Sequence, residues 1–181
     1  RAERVRNFGG YWLGLVVADE LGLISLLEQL LPEGREDVPW SMMALTLVLM
    51  RLSEPSSDLR IAEHLYERSA LGDLLGIPAD KVNDDRLYRA LDSLLPHKAE
   101  MEKHFKERLG ELFHLEYDLL LYDVTSTYFE GQAPLNKQAK RGYSCDKRSD
   151  CKQVVVGLVL DRDGFPKAHE VFDGNVQDRK T

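Results

Sequence analysis

Apolar residues recur at helical spacing up to Phe113 and alternate with polar ones after it, so two kinds of element are written into one chain. Val16, Leu23, Leu27 and Leu30 form a helical stripe that Pro32 closes and that Gly14 and Gly22 interrupt. Pro39-Trp40-Ser41 reads as a helix entry with Ser41 as N-cap. The run behind it, MMALTLVLMRL, is apolar on nearly every side and belongs at the centre of a bundle. Ser57-Asp58 opens a further helix with Leu59, Ala62, Leu65 and Tyr66 inward. Asn83 caps another with Leu87, Leu91 and Leu94 as its stripe, and Pro96 ends it. The last predicted helix, 98–113, groups Met101, Phe105, Leu109 and Leu112 on one side and pairs Glu102 with Lys106 across a turn.

Beyond His114 the period shortens to two. A strand is predicted over 118–129, followed by a polar, basic loop over 131–152 and then QVVVGLVL, a buried strand of β-branched residues. Asp161-Arg162-Asp163-Gly164 carries hairpin turn chemistry and returns 165–172 antiparallel, Gly174-Asn175 ends that strand, and Asp178 suits the N-cap of a helix starting at Arg179. The expected fold is α+β, with a helical domain over 1–115 and a sheet domain over 116–181. Three strands and a helix start make an incomplete sheet domain, so the chain is expected to be a fragment.

Composition narrows the functional classes. With 43% hydrophobic and 30% charged residues the chain is ordinary globular material, and its net charge of −7 argues against indiscriminate coating of nucleic acid. Cys145 and Cys151 lack the partners of a zinc site or a disulfide framework and read as free cytosolic thiols. Arg1, Glu3, Arg4 and Arg6 lead into Gly9-Gly10, which is no secretory signal. The apolar stretch 11–31 is interrupted by Asp19, Glu20 and Glu28, and 42–50 is too short to span, so no membrane and a cytoplasmic location are expected. Walker, Gly-x-Ser-x-Gly and His-Glu-x-x-His signatures are missing from the sequence. His64, His97, His104, His114 and His169 are scattered singly, while Trp12 and Trp40 read as core anchors of the helical part.

Two features carry candidate chemistry. Asp123 follows Leu119-Leu120-Leu121 into a half-buried strand, where a carboxylate needs a cation, a metal or several donors. An exposed edge-strand acid accounts for the same pattern. Thr125 and Thr127 share its strand face, and β-propensity explains both. Around Tyr143, the cations Lys137, Lys140, Arg141, Lys147, Arg148 and Lys152 stand against only Asp146 and Asp150, six charges less two, a local +4 in an acidic chain. Interleaved cations and an aromatic ring fit DNA phosphates and a splayed base; a solvated hairpin loop fits the composition too.

Taken together, LYDVTSTYFEG, RGYSCDKRSDCKQVVVGLVLDRDGFP and HEVFDGNVQD resemble the first catalytic block of bacterial insertion-sequence transposases with an RNase H-like Asp-Asp-Glu core. The resemblance covers residues 119–181 and extends more weakly over the helical part, which in that family helps bind element ends. It implies that Asp123 is the first catalytic, metal-binding acid, with Mg²⁺ or Mn²⁺ as cofactor in the complete enzyme. The implied partners are DNA, as terminal inverted repeats and target, and a second copy of the full-length protein. The family's other two acids, the last near a Tyr-x-x-Arg-x-x-x-Glu signature, do not occur in this sequence. An RNase H-like nuclease and a non-catalytic, regulatory truncated transposase are the competing readings.

Overall fold

The structure is a computed structural model. It describes residues 5–113, 120–143, 148 and 150–176, with side chains described for the same residues except 120–123. The chain is α+β: helices first, then a three-stranded antiparallel sheet. It divides into two compact units, Arg1–Leu109 and Gly110–Thr181.

The helical unit is built around α3 (Trp40–Ser53), whose Met43, Ala44, Leu45, Leu47, Leu49 and Met50 are all buried. It packs against α1 (Gly9–Glu20), α2 (Leu23–Leu30) and α6 (Asp84–Leu94). An apolar helix with no dominant stripe must be surrounded, as α3 is. Glycines bring α1 close to α3: a Cβ on Gly14 would lie 3.0 Å from a Leu49 methyl, and one on Gly10 would lie 3.5 Å from Ser53 Oγ. The stripe predicted over 16–30 is broken at Gly22, whose φ of 68° is the left-handed geometry that stops one helix and starts the next. His104 Nε2, on α7 (Lys98–Phe113), lies 2.8 Å from the freed Leu21 carbonyl.

Several sequence expectations change here. The N-cap of α3 is Pro39, in extended geometry, and Ser41 is buried two positions further in, within the first turn, without capping. Ser57 does cap, accepting the Arg60 N–H at 3.4 Å, but α4 (Asp58–Arg60) gives way at once to a π-turn over Ile61–Leu65. The Tyr66 N–H donates to the Ile61 carbonyl, five residues back. That wider turn rotates the face, so Ile61, Leu65 and Tyr66 are buried while Leu59 is 48% exposed. The Tyr66 hydroxyl donates to the Ile77 carbonyl beyond α5 (Leu71–Leu75). Asn83 caps α6 as expected, accepting the Arg86 N–H at 2.9 Å. Pro96 sits in a 3₁₀ turn leading straight into α7, on which Lys98 pairs with Glu102 at 3.3 Å. Trp12, expected in the core, is 49% exposed on the outer side of α1.

In the second unit β1 (Leu120–Phe129), β2 (Lys152–Asp161) and β3 (Pro166–Asp173) pair in sequence order. The register sets Asp123 opposite Leu158, Thr125 opposite Val156 and Tyr128 opposite Gln153. The β2–β3 turn forms as predicted. Asp161 Oδ1 accepts the N–H groups of Asp163 and Phe165, and Gly164 takes a φ of 88°. A bulge between Val159 and Leu160 leaves Lys167 out of register, and its ammonium meets Asp161 Oδ2 at 2.8 Å, both side chains buried. Burial pushes the Asp161 carboxyl up, yet the Lys167 ammonium and the two N–H donors outweigh it and hold it below the usual carboxylate range. Among the described residues no single helix is long and apolar enough to cross a membrane. α1 and α2 would do so by composition only as a pair bent by 71°.

Candidate nucleic-acid interface

A buried glutamine organises the basic loop. Gln153 opens β2 at 1% exposure, and its amide donates to the carbonyls of Tyr143 and Gly174, both at 2.8 Å. Its backbone forms a reciprocal antiparallel pair with Lys140, at 2.8 and 3.1 Å. Gly174 N–H donates to Gln138 O, and the Gln138 amide reaches the Val171 carbonyl at 2.8 Å. Asn136 Oδ1 accepts the N–H groups of Gln138 and Ala139, turning the chain into this position.

The backbones here approach too closely for side chains. A Cβ on Gly142 would collide with the Gly174 carbonyl, and one on Gly174 with the Gln153 carbonyl and the Lys140 carbonyl at 2.6 Å. Both glycines are needed for this close approach, although neither has a positive φ. The Arg141-Gly142-Tyr143 loop, the Lys152-Gln153 entry and the Gly174 exit, far apart in sequence, therefore meet at one point.

This knot presents its charges outward. Lys137, Lys140 and Arg141 are exposed, Lys152 is half-buried, and the Tyr143 ring is 89% exposed on a backbone carbonyl that Gln153 holds. Arg148 is differently engaged. Its guanidinium forms a two-pronged pair with Asp150 at 3.0 and 3.2 Å, contacts Cys151 Sγ at 2.9 Å and lies 4.9 Å from the Tyr128 ring centre. The pairing raises the Arg148 pKa and holds Asp150 below the usual carboxylate range. Arg148 thus locks the loop to β1 rather than offering a free cation. Lys147, Cys145 and Asp178 lie outside the described residues.

Asp123 stands in β1 five residues before Tyr128, roughly 17 Å along the strand from the row that pairs with Gln153. Its side chain lies outside the described residues; Thr125 and Thr127 are exposed. Across the sheet its row continues through Leu158 to His169, with no second acid. Among the described residues no three His, Cys, Asp or Glu side chains could hold a metal ion together. A divalent cation takes several oxygen ligands, so the described donors do not by themselves fit Mg²⁺ or Mn²⁺.

From sequence Gln153 reads only as the entry to the buried strand and Asp161 only as turn chemistry; Gln138, Asn136 and the Asp161–Lys167 pair are not singled out. A fully polar residue heading a β-branched run was the one available signal.

The architecture defines a class: a helical unit with a broadly apolar core followed by a hairpin unit with a knotted basic loop. The family model described as "Domain of unknown function (DUF4277)" matches residues 8–108, and the chain belongs to that family. No curated protein and no solved structure matches it.

Proposed function

We propose that the chain is part of an insertion-sequence DNA transposase, with the helical unit engaging element ends and the sheet opening an RNase H-like catalytic domain. The observation that carries this reading is the meeting of the three resemblance-bearing segments at Gln153, which bonds the Tyr143 and Gly174 carbonyls and pairs with Tyr128 of β1. Their residues are far apart in sequence yet mutually dependent, as expected of one functional module. The exposed Lys140, Arg141 and Tyr143 would hold DNA by its phosphates and by a base face. The distance along β1 to Asp123 corresponds to about five base steps of a strand, so a gripped strand can run toward that acid.

In this reading Asp123 is the one catalytic acid that residues 1–181 contribute. The other acids, which together with Asp123 would hold Mg²⁺ or Mn²⁺, are not among residues 1–181, and the protein would work in the cytoplasm on terminal repeats and target DNA. In the gene product carrying this chain, Asp123→Ala should abolish cleavage at element ends while leaving end binding intact. Cleavage at the wild-type rate would overturn the assignment. Cutting indifferent to terminal repeats would instead favour a plain nuclease, and absence of cutting in both proteins a regulatory binder.

A further inference from the structure

The outer face of α1 lacks a partner that its sequence demands. This helix is apolar all round, yet only Tyr11, Gly14 and Ala18 are buried. Phe8, Trp12, Leu13, Val16 and Val17 are each 40–57% exposed, and Phe8 stacks on Trp12 with ring centres 6.4 Å apart. Leu52 of α3, 63% exposed, extends the patch past Gly14. Beside it runs a groove of about 490 Å³ lined by Trp12, Val16, Ile24, Met42, Leu45 and Leu75. A patch of this kind marks an interaction surface rather than ordinary scattered exposure.

We propose that this face binds a second copy of the same chain, α1 packing antiparallel on α1 across a two-fold axis. Three observations favour that occupant. Among the exposed positions of α1, 9, 12, 13, 16, 17 and 20 follow the three-and-four spacing of helix–helix seams, with Gly10 and Asp19 flanking them. The apolar area is of the right size. Half-exposed aromatics and aliphatics of this number present about 450 Å² per copy. At the usual apolar share of interfaces this corresponds to roughly 1,500 Å² in total, which a stable dimer needs.

The charges are self-complementary in one direction only. α1 has no capping side chain and no acid in its first turn, while exposed Asp19 and Glu20 close its last turn. Antiparallel pairing sets those acids beside the partner's helix N-terminus, where negative charge is stabilised; parallel pairing would set acids against acids. With the axis between Gly14 and Leu15, Leu13 of one copy faces Val16 of the other, and Trp12 faces Val17. The resemblance already implies a second copy as partner; its seat on α1 rests on the exposure, spacing and charge of this face alone.

Sedimentation velocity on the whole chain over a micromolar concentration series tests it. The chain should dimerise, and Leu13→Glu and Val16→Lys should each weaken the dimer by about a hundredfold, with far-UV dichroism unchanged. Mixing the two variants should restore a dimer, because the new acid then faces the new lysine. Leu13→Gln provides a milder variant should either charge disturb folding. A monomeric wild type would overturn the proposal, as would variants that still dimerise or a mixture that fails to re-form the pair.

Discussion

Replacing Gln153 by Leu should release the basic loop without unfolding the helical unit. The side chain is buried, and Leu fills most of its volume, so the loss is that of two hydrogen bonds to carbonyls that have no other donor among the described residues. The Gly174 carbonyl is buried and keeps nearly its full desolvation cost, while the Tyr143 carbonyl is partly reached by water. Together the change is worth about 2–3 kcal/mol. If it acts on local opening, exchange of the Lys140 and Gln153 amides, which bond each other's carbonyls, should accelerate about 30- to 140-fold. Amides of α3 should exchange as before. Hydrogen exchange read by mass spectrometry on peptides covering 136–143, 152–156 and 171–176 would resolve this. Unchanged protection in those peptides would refute the role given to Gln153, and faster exchange throughout α3 would show that the loop is not an independent element.

Two further predictions follow from the fold. Ile61→Ala should cost the helical unit about 2–5 kcal/mol in urea unfolding, whereas Leu59→Ala should stay within about 0.5 kcal/mol, because the π-turn buries the first and exposes the second; equal costs would contradict the turn. Asp161 has its folded pKa held below the unfolded value of about 3.9. Its stabilisation is therefore present above that value and lost as pH falls through the folded one. The hairpin should loosen in acid, Asp161→Asn should weaken it at neutral pH, and that variant should show a flatter acid limb. An acid response identical to wild type would remove Asp161 as its source.

What could be read from sequence follows the range of the interactions concerned. Ser57 and Asn83 cap where predicted because a cap is settled within four residues, and the hairpin turn at 161–164 is equally local. Helical periodicity presumes 3.6 residues per turn, so it placed Leu59 inward and could not register a π-turn that advances the face onto Ile61. Ser41 has the chemistry of a cap, but Pro39 already supplies the non-helical entry geometry, and the helix begins before the serine. Trp12 was assigned to the core because apolarity says which residues seek cover and not which side of α1 finds it. The loop was recognisable as basic. Its organisation was not, because Gln153 binds backbone carbonyls 10 and 21 residues away, and such partners leave no residue signature. For the same reason Arg148 counted as a free cation until Asp150, Cys151 and Tyr128 closed around it.

The DNA-gripping role of the knotted loop stands on contact between its cations and phosphate. Binding of the chain to a labelled duplex, titrated with salt, measures this: replacing both Lys140 and Arg141 by Ala should lower affinity at every salt concentration and reduce the slope of log K against log salt by about two, since each phosphate contact contributes about 0.9. A slope unchanged from wild type would mean that these cations face solvent alone, and the DNA-gripping role of the loop would be wrong.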